Sequence, residues 1–318
     1  MAVDQLLAIT EEVGTALAER RPVVALESSL ITNAPSVDAA LAIEKAVRDG
    51  GAVPATIGIL DGRLLVGIDA EQIERLRTTP GVPKVSARDI GPVLAGGGAG
   101  ATTVAGTIVI AERAGIPVFA TAGIGGVHRR AQQTFDISPD LLQFTRTRIT
   151  VVSGGAKSIL DARLTAEYLE TAGVPVLGYG TDRLPAFYAR ATDVPVHRVD
   201  DVRQAARTVR AHWEVNGGGT VLLTTPVAEE DALDAVVVET AIERALAEAD
   251  AAGVTGNAVS PFLMKAVSRA TEGRTAKAGR SLLLSTATLA GELSVALAAL
   301  ADSDSDSEPG SGPEGERA

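Results

Sequence analysis

The sequence predicts an α/β protein built on a mixed, mostly parallel sheet. Three observations carry this reading. From residue 22 onward, β-branched runs alternate with amphipathic helical patterns, the order that builds parallel sheets. One junction recurs at Gly50-Gly51-Ala52-Val53-Pro54, at Ala114-Gly115-Ile116-Pro117-Val118 and at Ala172-Gly173-Val174-Pro175-Val176, a glycine closing a helix and a proline opening a strand. Composition agrees, because 46% hydrophobic residues with 3% aromatics and 33 glycines in 318 residues suit tightly wound α/β layers rather than a sandwich or a disordered polymer.

The elements follow in order. An amphipathic helix near 4–20 leads into a strand at Pro22–Leu26; a helix over 37–49 then reaches the first Gly-Pro junction and a strand at Val53–Leu60. Asp61-Gly62 turns Leu64–Ile68 back as a hairpin, which makes the sheet mixed. Helices at 70–78 and 102–114 precede a strand at Ile116–Ala120; the second of them, T-T-V-A-G-T-I-V-I-A-E-R-A, is apolar nearly all round and belongs in the interior. Strands at Ile149–Ser153, Val174–Gly178 and Thr220–Thr224 enclose helices at 157–172 and 200–213, and helices at 229–252, 258–271 and 279–300 complete the chain. No linker interrupts residues 1–300, which read as a single catalytic domain, and the acidic Ser/Gly/Pro run over 301–318 reads as a disordered tail.

Net charge is −11, of which the tail carries −5. An acidic body does not suit nonspecific nucleic-acid binding. There is no cysteine, hence no disulfide, thiolate nucleophile or cysteine-bound zinc. No uninterrupted apolar stretch approaches the roughly 18–20 residues of a membrane span, and the acidic start is no signal peptide. A soluble, cytoplasmic protein without a membrane partner is expected. Of 29 basic residues only five are lysine, so each lysine is informative.

Two glycine loops stand out. Gly96-Gly97-Gly98-Ala99-Gly100-Ala101 feeds the buried helix at 102–114, and reads either as a phosphate cradle or as a close helix–sheet contact. Gly123-Ile124-Gly125-Gly126-Val127-His128-Arg129 follows a strand directly, at the sheet end where ligands of open α/β folds bind. Lys157, after Gly154-Gly155-Ala156, stands at an expected helix start, where dipole and burial both favour the neutral amine that a Schiff-base nucleophile needs; the alternative is a surface lysine covering apolar area. Glu27 ends a strand beside Ser28 and Ser29, as a general acid/base or a helix cap. Asp136-Ile137-Ser138-Pro139-Asp140 offers oxygen ligands for a hard cation or sugar, and is equally an ordinary helix start. Lys84 suits a phosphate or a solvated loop, and His128 beside Arg129 suits an anion or a satisfied loop histidine.

K-V-S-A-R-D, G-A-T-T-V-A-G-T, A-G-I-P-V-F-A-T-A-G-I-G-G-V-H-R, F-D-I-S-P-D-L, G-A-K-S-I-L-D, L-E-T-A-G-V-P-V-L-G-Y and P-A-F-Y-A-R, in this order, closely resemble the pseudouridine-5′-phosphate glycosidase family over roughly residues 20–300. The resemblance implies a three-layer α/β/α fold, a homotrimer, a divalent metal (manganese or magnesium), and reversible joining of C1 of ribose 5-phosphate to a carbon of uracil. It implies Lys157 as Schiff-base nucleophile, Glu27 as proton donor, Asp136 as metal ligand, and Lys84, Val104, Ser138, Pro139 and Asp140 as substrate contacts; Thr103, Thr121 and His128 are counted with them. The chemistry agrees. A carbon–carbon glycosidic bond has no heteroatom leaving group, so an ordinary carboxylate pair is insufficient and C1 needs an electron sink. A lysine imine supplies one.

The departures lie in one half of the resemblance. After E-S-S-L-I-T the family usually continues H-G-M-P, whereas this chain has Asn33-Ala34-Pro35-Ser36. Thr225, Asn257, Ser285 and Gly291 stand within segments where the family carries other residues, several of them amides. Loss of amides that pair with uracil weakens uracil selection. The expectation is therefore C-ribosylation of a larger aromatic natural-product precursor, as in the alnumycin-type C-glycosynthase branch of the family. The alternative is a pseudouridine-5′-phosphate glycosidase with a drifted pocket. A third reading is a non-catalytic sugar-phosphate-binding protein, against which the joint presence of Glu27, Lys84, Asp136, Asp140 and Lys157 counts.

Overall fold

A computed structural model of the chain describes residues 6–32 and 36–305. The first half runs β1 (Leu7–Ile9), α1 (Glu11–Ala18), β2 (Val23–Glu27), α2 (Ser28–Ile31), α3 (Val37–Asp49), β3 (Val53–Leu60), β4 (Arg63–Val66), α4 (Ala70–Thr78), β5 (Lys84–Val85), α5 (Ile90–Ala95), β6 (Ala101–Thr102), α6 (Val104–Arg113) and β7 (Val118–Ala120). The second runs α7 (Ala131–Thr134), α8 (Pro139–Phe144), β8 (Thr150–Ser153), α9 (Ala162–Thr171), β9 (Val176–Tyr179), β10 (His197–Val199), α10 (Val202–Asn216), β11 (Val221–Thr224), α11 (Ala235–Ala251), α12 (Val259–Ala270) and α13 (Arg274–Ser305).

Nine strands form one sheet in the order β1-β4-β3-β2-β7-β8-β11-β9-β10, all parallel except the β3–β4 hairpin; β5 and β6 make a separate parallel pair. The central strands are buried on both faces, which is why they read as continuous apolar runs. Successive side chains alternate between two cores. Val24, Leu26, Val118, Val152 and Leu223 face α3, α10 and α13, while Ala25, Ile57, Phe119, Val151 and Leu222 face α6, α8, α11 and α12. The result is three layers, α/β/α.

Several expectations are corrected. The helix near 4–20 begins only at Glu11, because Leu7–Ile9 pairs in parallel with Leu64–Val66 as an edge strand; a three-residue apolar run carries no period to separate the two outcomes. His197–Val199 likewise adds an edge strand on β9. The helix expected from 157 starts at Ala162, since the Asp161 carboxylate caps it by accepting the Leu164 amide at 2.9 Å. The helix over 229–252 opens as a separate 3₁₀ turn, and Asp234 caps α11. The last helix starts earlier, at Arg274, and continues to Ser305; the remainder of the expected tail, 306–318, lies outside the described residues, as do Asn33, Ala34 and Pro35. That helix contains the single described stretch long and apolar enough to cross a membrane, Arg274–Ser303, but it packs on α3, α10 and the central strands as a core helix.

Candidate active site

Because β2, β7 and β8 are parallel neighbours, their carboxyl ends lie side by side. Glu27 ends β2, Thr121 follows β7, and the turn carrying Lys157 follows β8. Glu27 is 5% exposed. Its Oε1 accepts from the Thr121 hydroxyl at 2.7 Å and its Oε2 from the Ser29 hydroxyl at 2.5 Å. Behind it a void of about 10 Å³ is lined by Leu26, Leu30, Ala40, Ile43, Ala120 and Leu283. Burial against this apolar wall pushes the Glu27 pKa up, opposed by the Lys157 charge and the two hydroxyls.

Lys157 is not on a helix. It sits in a turn ahead of Asp161, so the dipole argument made for it from sequence does not apply. Its amide donates to Ile124 O at 3.1 Å, pinning the turn to the second glycine loop. Its charge acts on Glu27, Lys84 and His128, so these groups converge. Lys84 is an exposed residue overall, yet its ammonium is desolvated enough that burial lowers its pKa; Lys157 adds to the shift and Glu27 opposes it.

The first glycine loop is not a phosphate cradle. The amides of Gly96, Gly97, Gly98 and Gly100 donate to Pro92, Leu94, Val93 and Ile59 carbonyls, and the run packs against the Asp61-Gly62 turn. It leads into β6, with Thr103 at the amino end of α6, its hydroxyl donating to Val85 O, and Val104 buried as the helix's first residue. The amino end of α6 is met by Asp140, whose buried carboxylate accepts from Ala105 N at 3.0 Å and from Gly125 N at 2.8 Å. Asp140 thus joins α6 to the second glycine loop. Gly125 has to be glycine: a Cβ there would lie 2.1 Å from Ser138 Oγ. Ser138 caps α8 with Pro139 at its first position, so the helix-start reading of this segment holds while Asp140 is turned inward.

His128 is buried, with Nε2 3.2 Å from Ser260 Oγ and Nδ1 3.6 Å from Asp136 Oδ2. Burial lowers its pKa; Asp136 opposes this and Lys157 adds to it. Among the described residues no three His, Asp or Glu side chains come together as a metal cage. Asp136 therefore offers a single carboxylate, a donor set that fits only a largely hydrated hard cation.

Of the positions that depart from the family, Thr225 lies at the carboxyl end of β11, its amide donating to Ser153 O at 2.9 Å. Ser285 is exposed and its hydroxyl donates to Ser281 O; the Asn257 side chain lies outside the described residues. Gly291 is elsewhere. It sits at the α3–α13 crossing, where a Cβ would come within 2.6 Å of Val47 O. Sequence reading missed Ser260, Glu239 and Phe187, all remote from the motifs they meet. Phe187 holds the left-handed φ of 64° that bulky residues rarely adopt, with its ring on Gly123. A cavity of about 520 Å³ is lined by Arg146, Arg148, His212 and Gly217–Thr220 at the amino ends of the strands. It contains none of the candidate catalytic, substrate-binding or metal residues.

The covered parallel sheet, with the buried Glu27 carboxylate and Lys157 following its central strands in electrostatic reach of each other and of Lys84, describes an α/β fold with an ionisable cluster at the carboxyl ends of its strands. The family described as indigoidine synthase A like protein matches residues 12–296. The pseudouridine-5′-phosphate glycosidase of Dickeya dadantii is 51% identical over 92% of this chain and 94% of its own, and that of Caldanaerobacter subterraneus 44% identical over 93% and 98%. The crystal structure of the prealnumycin C-glycosynthase AlnA with ribulose 5-phosphate is 68% identical, with a TM-score of 0.91 over 94% of this chain and 99% of that one. An indigoidine synthase A-like protein of Thermotoga maritima gives a TM-score of 0.84 at 33% identity over 92% and 97%. The chain belongs to the pseudouridine-5′-phosphate glycosidase family and is an enzyme of the C-glycosidase type.

Proposed function

We propose that the enzyme joins C1 of ribose 5-phosphate to a carbon of an aromatic natural-product precursor through an imine on Lys157. The observation that carries this reading is the 68% identity to a C-glycosynthase, against 51% to the pseudouridine-5′-phosphate glycosidase of Dickeya dadantii. Glu27, whose pKa burial raises, delivers a proton to the ring oxygen and opens the sugar. Lys157 Nζ then attacks C1 and water leaves, giving the imine. The aromatic carbon adds to C1, its proton returns to Glu27, and closure of the ring oxygen on C1 releases the amine. The net change is one molecule of water lost. With the first glycine loop's amides already engaged, the phosphate falls to Lys84 and to the Thr103 end of α6. Asp136 would hold a hydrated manganese or magnesium ion, which supplies charge stabilisation near the sugar when bound.

The second reading is pseudouridine-5′-phosphate glycosidase itself, favoured by the names of the curated relatives. Assay of the purified protein with pseudouridine 5′-phosphate separates the two. Slow cleavage, with ribose 5-phosphate still bound, is expected for the first, since missing hydrogen bonds to a polar base cost on the order of 10⁴-fold in discrimination. Rapid turnover at micromolar substrate hands the case to the second. A homotrimer is part of the proposal; the exposed Phe135 (85%) and Val236 (72%) support an apolar contact surface, and light scattering reads the assembly.

A further inference from the structure

Arg129, next to His128 in the second glycine loop, is engaged on two sides. Its guanidinium binds Glu239 of α11 with both terminal nitrogens, Nη2 reaching Oε2 at 2.8 Å, and Glu243 stands 3.4 Å from Nη1. The same Nη2 donates to the carbonyl of Ser158 at 3.2 Å. Nε is enclosed and has no partner, so the group is held by its fork alone.

Ser158 is the residue after Lys157. Its hydroxyl donates to Ala186 O at 2.7 Å and accepts from Tyr188 N at 3.3 Å. The turn between β8 and α9 has no helix to shape it before Ala162, so tertiary bonds of this kind set its course. We infer that Arg129 is a positioning residue for Lys157: fixed on α11 by Glu239, it anchors the Ser158 carbonyl and so aims the neighbouring lysine at the sugar. Lysine cannot replace it, because a point charge lacks the planar fork that reaches a carboxylate and a carbonyl together. Glu239 acts only through Arg129. This inference rests on Lys157 as the attacking amine.

The experiment compares wild type, Arg129→Lys, Glu239→Gln and the double variant. It reads the single-turnover rate of borohydride trapping with ribose 5-phosphate, the Kd for that sugar, and Tm. Misplacement of a reacting group by about 1 Å costs on the order of 10²-fold, so trapping should slow roughly 10- to 100-fold in Arg129→Lys and several-fold in Glu239→Gln, with Kd changed by less than about twofold. The double variant should be no slower than Arg129→Lys, since the two residues act in series. Trapping at the wild-type rate in the single variants, or additive slowing in the double, overturns the inference while leaving the Lys157 reading intact. Should Arg129→Lys not fold, Glu239→Gln, altered on a half-exposed carboxylate, decides alone: slowed trapping supports the inference and unchanged trapping overturns it. A wild-type protein that is active yet takes no adduct overturns the Lys157 reading, and this inference with it.

Discussion

Replacing Asp140 by asparagine separates two roles for this carboxylate, contact with substrate and a bridge between α6 and the second glycine loop. In the structure both oxygens are occupied, by Ala105 N at 3.0 Å and Gly125 N at 2.8 Å, and the residue is 5% exposed. Hydrogen bonds to a charged group contribute about 1.5–3 kcal/mol each, and a buried donor left without its acceptor costs about 1–3 kcal/mol. Asparagine keeps one acceptor and turns an NH₂ toward the other amide, so the expected loss is about 2–4 kcal/mol. For a chain of this size that corresponds to a fall in Tm of roughly 3–6 °C. The assay is thermal unfolding with and without ribose 5-phosphate, beside a binding titration with that sugar. A Tm within about 1 °C of wild type together with lost sugar binding would refute the bridge, since the cost would then lie in the complex rather than the fold.

The remaining predictions address the chemistry. Reduction in the presence of ribose 5-phosphate should add one pentose phosphate to the intact mass, and both Lys157→Ala and Lys157→Arg should abolish the adduct, because a guanidinium does not attack a carbonyl; an adduct that persists in either variant shows another nucleophile. Glu27 has a folded pKa raised by burial, so over the interval between its unfolded and folded values the native state holds more protons than the unfolded one, and both its contribution to stability and its proton-donor activity are present at low pH and fall as pH rises through the folded value. Glu27→Gln should remove that part of the pH dependence of Tm; an unaltered profile contradicts the assignment. Chelation should lower activity and manganese or magnesium restore it, with Asp136→Asn needing more metal; full activity in EDTA removes the cation from the mechanism.

The α/β class, the sheet's mixed character and the chemical candidates were legible because each rests on local pattern. β-branched runs, Gly-Pro junctions and the Asp61-Gly62 turn express backbone preferences that persist in the fold, and Glu27 at the end of β2 and Lys157 after β8 stand where parallel sheets present their ligands. The edge strands at Leu7–Ile9 and His197–Val199 were not legible, since three-residue strands owe their state to the neighbour they pair with. The tertiary structure alone decided how the amides and carboxylates are used. The Gly96–Gly100 run reads from sequence either as a cradle or as a close packing contact, and its amides face nearby carbonyls; Asp140, a substrate contact by resemblance, also reaches Ala105 and Gly125. Sequence alone determined which groups are candidates for making an imine and moving a proton. Their convergence on one centre, and the hold that Arg129 keeps on the lysine turn from an ion pair 110 residues away, depend on strand order and long-range packing, which no local preference encodes.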